Sequence, residues 1–288
     1  MENLRGIIMM TAAMAGFALE DMFIKLSTAH IPVGQVMIIL GFGGAMIFFL
    51  LARRHGLSLL APDLFKPAVL LRNLGEVLAA IGFLSAITLT PLASASAIIQ
   101  ATPLVVTLGA ALFFKADVGW RRWTAISVGL FGVLLVIRPG MAGFQPASLF
   151  AVLAVVGLSL RDLAVRRVPR SISSLQLAAY GFGVLIPLGI VILLIGPGPA
   201  PMTGQLWLYL LGASVMGAAG YYAVVEATRL GDVAVVTPFR YFRLLFALVI
   251  GLAVFRETPD VMTLTGAAII IGSGLYTFMR ERRGFRQR

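Results

Sequence analysis

An all-α integral membrane fold of ten spans, built as two inverted five-helix repeats, follows from three observations. The chain has 288 residues, of which 59% are hydrophobic and 12% charged, about half the charge of a soluble domain. Apolar runs of about 20 residues recur along its whole length, each long enough to cross a bilayer. One pattern also occurs twice at a fixed offset of 141, as Gly16, Leu19, Asp21, Lys25, Gln35 and again as Gly157, Leu160, Asp162, Arg166, Gln176. A period near half the chain length marks a duplication. Five spans per copy is an odd number, so the second copy crosses the membrane in the opposite sense.

The expected spans are 6–28, 33–52, 69–90, 93–114, 122–137, 148–167, 173–195, 206–228, 233–254 and 261–279. The first follows Arg5, and Glu20 and Asp21 interrupt what would be the apolar region of a signal peptide, so it reads as an uncleaved span. Breaks carry Pro, Gly or charge: Pro32 and Gly34, Pro62 and Asp63, Pro91, Pro139 and Gly140, then Gly196 to Pro199. Pro103 and Pro238 fall inside spans four and nine and predict bends there. Ala93, Ala97 and Ala101 form a small-residue stripe suited to close helix contact. Trp120, Trp123 and Trp207 read as interfacial anchors. The halves divide near Arg138-Pro139-Gly140, giving repeats 1–139 and 140–288, the second with a basic tail.

Lys and Arg set the orientation. Of the 23, seventeen fall in alternate loops on one side (Arg72 and Arg166 among them), three on the other and three within spans. Such asymmetry places both termini in the cytoplasm of a multi-pass cell inner (plasma) membrane protein. The net charge of +11 then reads as a topology signal and contact with anionic lipid, not nucleic-acid binding. Zero cysteines and two loop histidines, His30 and His55, leave no metal site, cofactor site or cysteine nucleophile, so an enzyme is not expected. No Gly-Lys pair exists to start a phosphate loop, which excludes ATP as the direct energy source.

The later parts of the halves match more loosely. Leu74-Gly75 answers Leu211-Gly212, Gly82-Phe83 answers Gly220-Tyr221, and Asp117 answers Glu257. Two five-span repeats, a polar cluster in the first span, and an acidic residue after the fourth and ninth spans resemble the EamA repeat of the drug/metabolite transporter superfamily. That resemblance covers essentially the whole chain, with Asp117 a weaker match than Glu257. It implies a secondary carrier with a central cavity built by spans three, four, eight and nine, and a likeness to bacterial exporters of aromatic and neutral amino acids. Drug or other metabolite efflux is the alternative, and a channel a further one. A monomer or homodimer in the lipid bilayer, binding a small-molecule substrate, is the corresponding expectation.

Ionisable groups inside spans are costly and mark function by default. Arg240 and Arg243 lie about 10 and 15 Å into span nine, three residues apart on one face, where they suit a substrate carboxylate. Glu76 sits at a depth similar to Arg240, which predicts a pair. Tyr221, Tyr222 and Tyr241 fall near the meeting of spans eight and nine, where at least one of Tyr221 and Tyr222 needs a hydrogen-bond partner in a cavity, and the Gln100 amide within span four is expected to face a cavity or another helix. Asp21–Lys25 and Asp162–Arg166 have the spacing of intrahelical salt bridges, while Glu20 or Asp21 is a candidate proton carrier. Glu20 answers Arg161, so any role there is asymmetric.

Overall fold

The computed structural model describes residues 2–59, 62–114, 119–141, 143–169, 171–230 and 233–285. Lys115, Asp117, Arg170, Arg286 and Arg288 lie outside them. The described residues form helices and no strand. The first half contains α1 (Glu2–Thr28), α2 (Val33–Arg54), α3 (Pro67–Leu89), α4 (Leu92–Ile99), α5 (Thr102–Phe114) and α6 (Trp120–Ile137). The second contains α7 (Ser148–Val165), α8 (Ser174–Gly183), α9 (Leu185–Ile195), α10 (Gly204–Leu230), α11 (Val233–Val236), α12 (Phe242–Phe255) and α13 (Val261–Phe285). Among the described residues nine helical stretches are long and apolar enough to cross a membrane, and the shorter apolar Val261–Thr277 supplies the tenth.

Among the described residues three spans are broken. Span four breaks between α4 and α5, because Pro103 has no N–H for the Ile99 carbonyl. The Thr102 hydroxyl donates to that carbonyl instead, at 2.6 Å. Span nine passes through a 3-10 turn at Thr237–Tyr241, around Pro238. Span seven breaks at Val184 between α8 and α9, an interruption the sequence reading did not expect, although Pro187 withholds a donor from the Gly183 carbonyl.

Packing follows the repeat. The first span of each half lies along the third span of the other, α1 on α10 and α7 on α3. The second spans pair with each other (α2 with α8 and α9), as do the fourth (α4 with α12) and the fifth (α6 with α13). Without a hydrophobic drive between helices in lipid, small residues let backbones touch. A β-carbon on Gly157 would stand 2.3 Å from the Ala79 nitrogen and 2.7 Å from the Gly75 carbonyl. Ala93, Ala97 and Ala101 are all buried.

The duplicated glutamines make reciprocal ties. Gln35 donates to the Ala200 carbonyl at 2.9 Å and accepts from the Ala200 N–H at 2.9 Å, in the loop between spans seven and eight. Gln176 donates to the Ser58 carbonyl at 2.5 Å, in the loop between spans two and three, and forms a capping box with Ser173 at the start of α8. Each half thus holds the equivalent loop of the other. The fifth spans are tied by Arg138, in left-handed backbone after α6, which pairs with Asp260. Asp260 also accepts from the Thr263 N–H at 2.8 Å, capping α13.

Overpacking the α3–α7 crossing costs about 1–3 kcal/mol or more. Gly157→Val should therefore reduce the yield of monodisperse protein in detergent, whereas Gly183→Ala, with nothing near its β-carbon, should not. The hydrogen bond from Arg138, with the Thr263 N–H second, pushes the Asp260 carboxyl down to about 2 from 3.8. A depressed acid stabilises fully above its unfolded value and loses that contribution as pH falls through the folded one. Melting curves between pH 4 and pH 2 should therefore show a smaller acid-induced loss in Arg138→Gln than in the parent.

Candidate functional site

Asp21 is 1% exposed on α1. Its counter-charge is Arg243, in the first turn of α12. The guanidinium donates through Nη2 to Oδ1 at 2.8 Å and to Oδ2 at 2.9 Å, and through Nε to Oδ2 at 3.1 Å. The same group lies 5.2 Å from the Phe17 ring and 5.1 Å from the Phe83 ring. Two-point pairing and ring contacts occupy its donor edge and faces. Arg243, the sequence's strongest candidate for a substrate carboxylate, is therefore already committed to Asp21.

The expected Asp21–Lys25 salt bridge does not form. One turn along α1, Lys25 reaches the opposite way. Its Nζ lies 3.0 Å from Glu257 Oε1 and donates to the carbonyls of Ile87 at 2.8 Å and Thr90 at 2.6 Å. Glu257 Oε2 accepts the Leu92 N–H at 2.8 Å, at the start of α4. Lys25 and Glu257 together fasten the ends of α1, α3 and α12 and the start of α4. A flexible lysine takes the partner with the most unsatisfied oxygen nearby, and here that is the helix-end carbonyls plus Glu257.

The second half offers a different pairing at the equivalent level. Asp162 accepts from Arg161 Nε at 2.9 Å, not from Arg166, which is exposed at the end of α7. Arg161 Nη1 also approaches Glu76 at 3.7 Å, and Arg72 Nη2 meets Glu76 at 2.8 Å. The expected Glu76–Arg240 pair is thus replaced by Arg72–Glu76–Arg161. Arg72, assigned by sequence to a loop, is 7% exposed within α3, beside Gly181 of α8, which leaves room for its guanidinium. Its spacing of four from Glu76 was the signal that could have found it.

Glu20 and Arg240 complete the charged set. Glu20 is half-buried on α1, its carboxylate against Gly217 of α10, where a β-carbon would stand 2.4 Å from Oε1. Its charged neighbours are Asp21, Arg243 and Glu76. Arg240 sits in the 3-10 turn of span nine with an exposed side chain. Its charged neighbours, Asp162, Arg161 and Arg243, all lie on inner helices, so that exposure is to the interior of the bundle. Gln100, at the break of span four, donates to the Arg240 carbonyl at 3.3 Å, joining the two broken spans.

Tyr241 is buried with its hydroxyl on the backbone of Gly274. Tyr221 donates to the Ser174 carbonyl at 3.0 Å and stands edge-on to Phe48 at 5.0 Å. Tyr222, one step round the helix, is 55% exposed.

The charged set described above comprises four carboxyl groups (Glu20, Asp21, Glu76, Asp162) and four arginines (Arg72, Arg161, Arg240, Arg243), equal in number. The structure therefore brings together Glu20, Asp21, Glu76, Asp162, Arg240 and Arg243 from the sequence candidates, adds Arg72 and Arg161, and leaves Arg166 and Tyr222 apart. An apolar groove of about 520 Å³ between α2 and α8–α9, lined by Phe42, Met46, Phe49, Tyr180 and Pro187, lies away from all of these charges. Among the described residues no three His, Asp or Glu converge as a metal site.

Removing one member of a buried ion pair costs about 3–5 kcal/mol, because the other is left uncompensated. Asp21→Asn alone should lower the melting temperature more than Asp21→Asn combined with Arg243→Gln, a non-additivity that a double-mutant cycle in detergent measures.

The comparisons with known proteins fit this architecture. The chain matches the model of the EamA-like transporter family over residues 4–138 and 145–279. It is 26% identical to an S-adenosylmethionine uptake transporter of Rickettsia conorii over 212 residues, 70% of this chain and 68% of that one. A riboflavin transporter of Vibrio cholerae is 29% identical over 198 residues, 68% of this chain and 66% of its own. The pseudopaline exporter CntI of Pseudomonas aeruginosa is 24% identical over 272 residues, 92% of this chain and 93% of its own. A crystal structure superposes with a TM-score of 0.59 at 18% identity, covering 94% of this chain and 98% of that chain, a likeness of fold. With the family model matching nearly the whole length in two copies, the chain belongs to the EamA-like transporter family and is a transporter of small molecules rather than an enzyme.

Proposed function

We propose that the protein is a secondary carrier that exports amino acids or similar small metabolites by alternating access between its repeats, 1–139 and 140–288. The observation that carries this reading is a charge-balanced group at the junction of α1, α3, α7 and α12, fastened at one end by Lys25 and Glu257. Broken spans beside a charged centre are the usual build of a carrier site. The Lys25–Glu257 tie joins spans from both halves at the end of the bundle away from the termini, so it has to open if the site is to face that side. Among the described residues of this group Arg240 is the cation without a carboxylate partner; Gln100 binds its carbonyl, Tyr241 follows it in the 3-10 turn, and Tyr221 has Arg72 and Arg161 among its charged neighbours.

Export is favoured over uptake because an exporter is among the relatives and is matched over nearly the full chain. The positive-inside count supports an inner-membrane protein with cytoplasmic termini. Efflux of drugs or other metabolites is the second reading.

Proteoliposomes loaded with each amino acid in turn should show counterflow for at least one, with saturation; exchange for none of them would remove the amino-acid reading. Because the parent has no cysteine, Lys25→Cys with Glu257→Cys gives a single pair for a short bifunctional methanethiosulfonate, which spans the reach of the two long side chains it replaces. Cross-linking should slow exchange by at least tenfold and reductant should restore it. Undiminished flux through the cross-linked protein would exclude alternating access at that end.

A further inference from the structure

We propose that the groove between α2 and the broken span seven is a site for one anionic phospholipid. An acyl chain lies along Phe42, Met46 and Phe49, and the phosphate meets Arg53. The groove is on the outside of the bundle, so the proposal stands apart from the choice of substrate. Phe42, Met46 and Phe49 are 60%, 42% and 37% exposed. Phe48, on the other face of the same helix, is buried with its ring centre 5.7 Å from that of Phe182. Of the residues lining the groove only Tyr180 has a polar side-chain group, and its hydroxyl donates to the Leu59 carbonyl. A polar metabolite finds nothing to bind there, whereas a hydrocarbon chain does.

The groove is built into the chain. Span seven is interrupted at Val184, and Gly183, one of the lining residues, has nothing within 4 Å of where its β-carbon would stand. The volume is about 520 Å³, inside the range of about 300–1,000 Å³ usual for a small-molecule site. Three hydrogen bonds fix the loop between spans two and three against span seven. Gln176 donates to the Ser58 carbonyl, Tyr180 to the Leu59 carbonyl and the Ser171 hydroxyl to Asp63. Leu59 itself lines the groove. The cavity is therefore preformed, and little ordering of the protein opposes binding.

Depth and charge choose the lipid. Residues 42, 46, 49 and 53 follow steps of four, three and four, so Arg53 continues the apolar stripe. At 1.5 Å per residue Phe49 and Phe42 lie about 8 and 18 Å from the Arg54 end of α2. One leaflet of the hydrocarbon core is about 15 Å deep, so a chain whose phosphate is level with Arg53 reaches Phe42. Arg53 is exposed, and among the described residues no carboxylate pairs with it. Asp63, the one carboxylate of the following loop, is taken by Lys66 at 2.8 Å and by Ser171 at 2.7 Å. One basic residue at an anionic surface contributes about fivefold in affinity, and the groove converts that general attraction into a single place.

The test uses full-length protein in detergent, depleted of lipid, with phosphatidylglycerol as probe. Phosphatidylcholine, glycerol phosphate and oleate are the comparison compounds. Native mass spectrometry should retain one phosphatidylglycerol per protomer, and the melting point should rise more with it than with any of the three. Arg53→Gln should weaken its apparent affinity about fivefold. Arg54→Gln, the same change of charge one step round the helix, should not. Gly183→Leu and Met46→Trp each fill the groove and should weaken phosphatidylglycerol by tenfold or more. The melting point without lipid reports whether each variant folds.

The proposal is overturned if phosphatidylcholine binds as tightly, because the groove is then an ordinary lipid-facing seam. It is overturned too if Arg54→Gln weakens binding as much as Arg53→Gln, the mark of general surface charge. Equal binding of glycerol phosphate would remove the acyl chain from the site, and equal binding of oleate would remove the phosphate. Unchanged binding in both groove-filling variants would put the lipid elsewhere. A dimer that retains no lipid and dissociates in either groove-filling variant would give the groove to a second copy. Counterflow measurements bear on the carrier reading alone, so the two fail independently.

Discussion

A charge in the interior of a bilayer has to find its opposite, and that single constraint organises this molecule. Asp21, Glu76, Asp162, Arg72, Arg161 and Arg243 sit where hydration is scarce, and isolated they would each carry a severe solvation penalty. Their pairing dictates which helices are neighbours. Asp21 on α1 requires Arg243 on α12, and Glu76 on α3 requires Arg161 on α7. Both links run between the repeats, so electrostatics and the glycine-lined crossings specify the same interleaved arrangement.

The two ends of that arrangement differ. At one, Lys25 gathers two carbonyls from the end of α3 and the Glu257 carboxylate after α12. Its repeat counterpart, Arg166, is exposed at the end of α7. An inverted repeat with one latch engaged is asymmetric by construction, and asymmetry is what distinguishes one access state from the other. The central charges are asymmetric as well, since Glu20 and Arg161 occupy equivalent positions with opposite sign. Symmetry therefore governs the scaffold, whereas the chemistry at its middle is different in each half.

Much of this was legible in the sequence, for physical reasons. Hydropathy fixed the spans because lipid demands continuous helix, and the offset of 141 located Gln35 and Gln176 before their reciprocal loop ties were seen. The side-chain partners were not legible. Spacing of four proposed Asp21–Lys25 and Asp162–Arg166, but i,i+4 proximity is worth only a few tenths of a kcal/mol, too little against a buried two-point contact with Arg243 or an adjacent Arg161. Depth along one helix proposed Glu76–Arg240, yet depth says nothing about rotation around the helix axis. Arg72 was misplaced because basic residues near a span end are usually topology signals, and nothing local announces that α8 offers a glycine opposite.

The Asp21–Arg243 pair has a consequence for how the chain is made. The partners are 222 residues apart in sequence. At about 5–20 residues per second of synthesis, Asp21 enters the membrane about 10–45 s before Arg243 exists. During that interval α1 holds a carboxyl with no counter-charge, and α10, the helix it packs along, has not been made either. The nascent first half must therefore wait with Asp21 protonated or turned toward water, and the bundle can close only after span nine has been delivered. Biogenesis of this protein is governed by its last spans, although its most telling residue lies in the first.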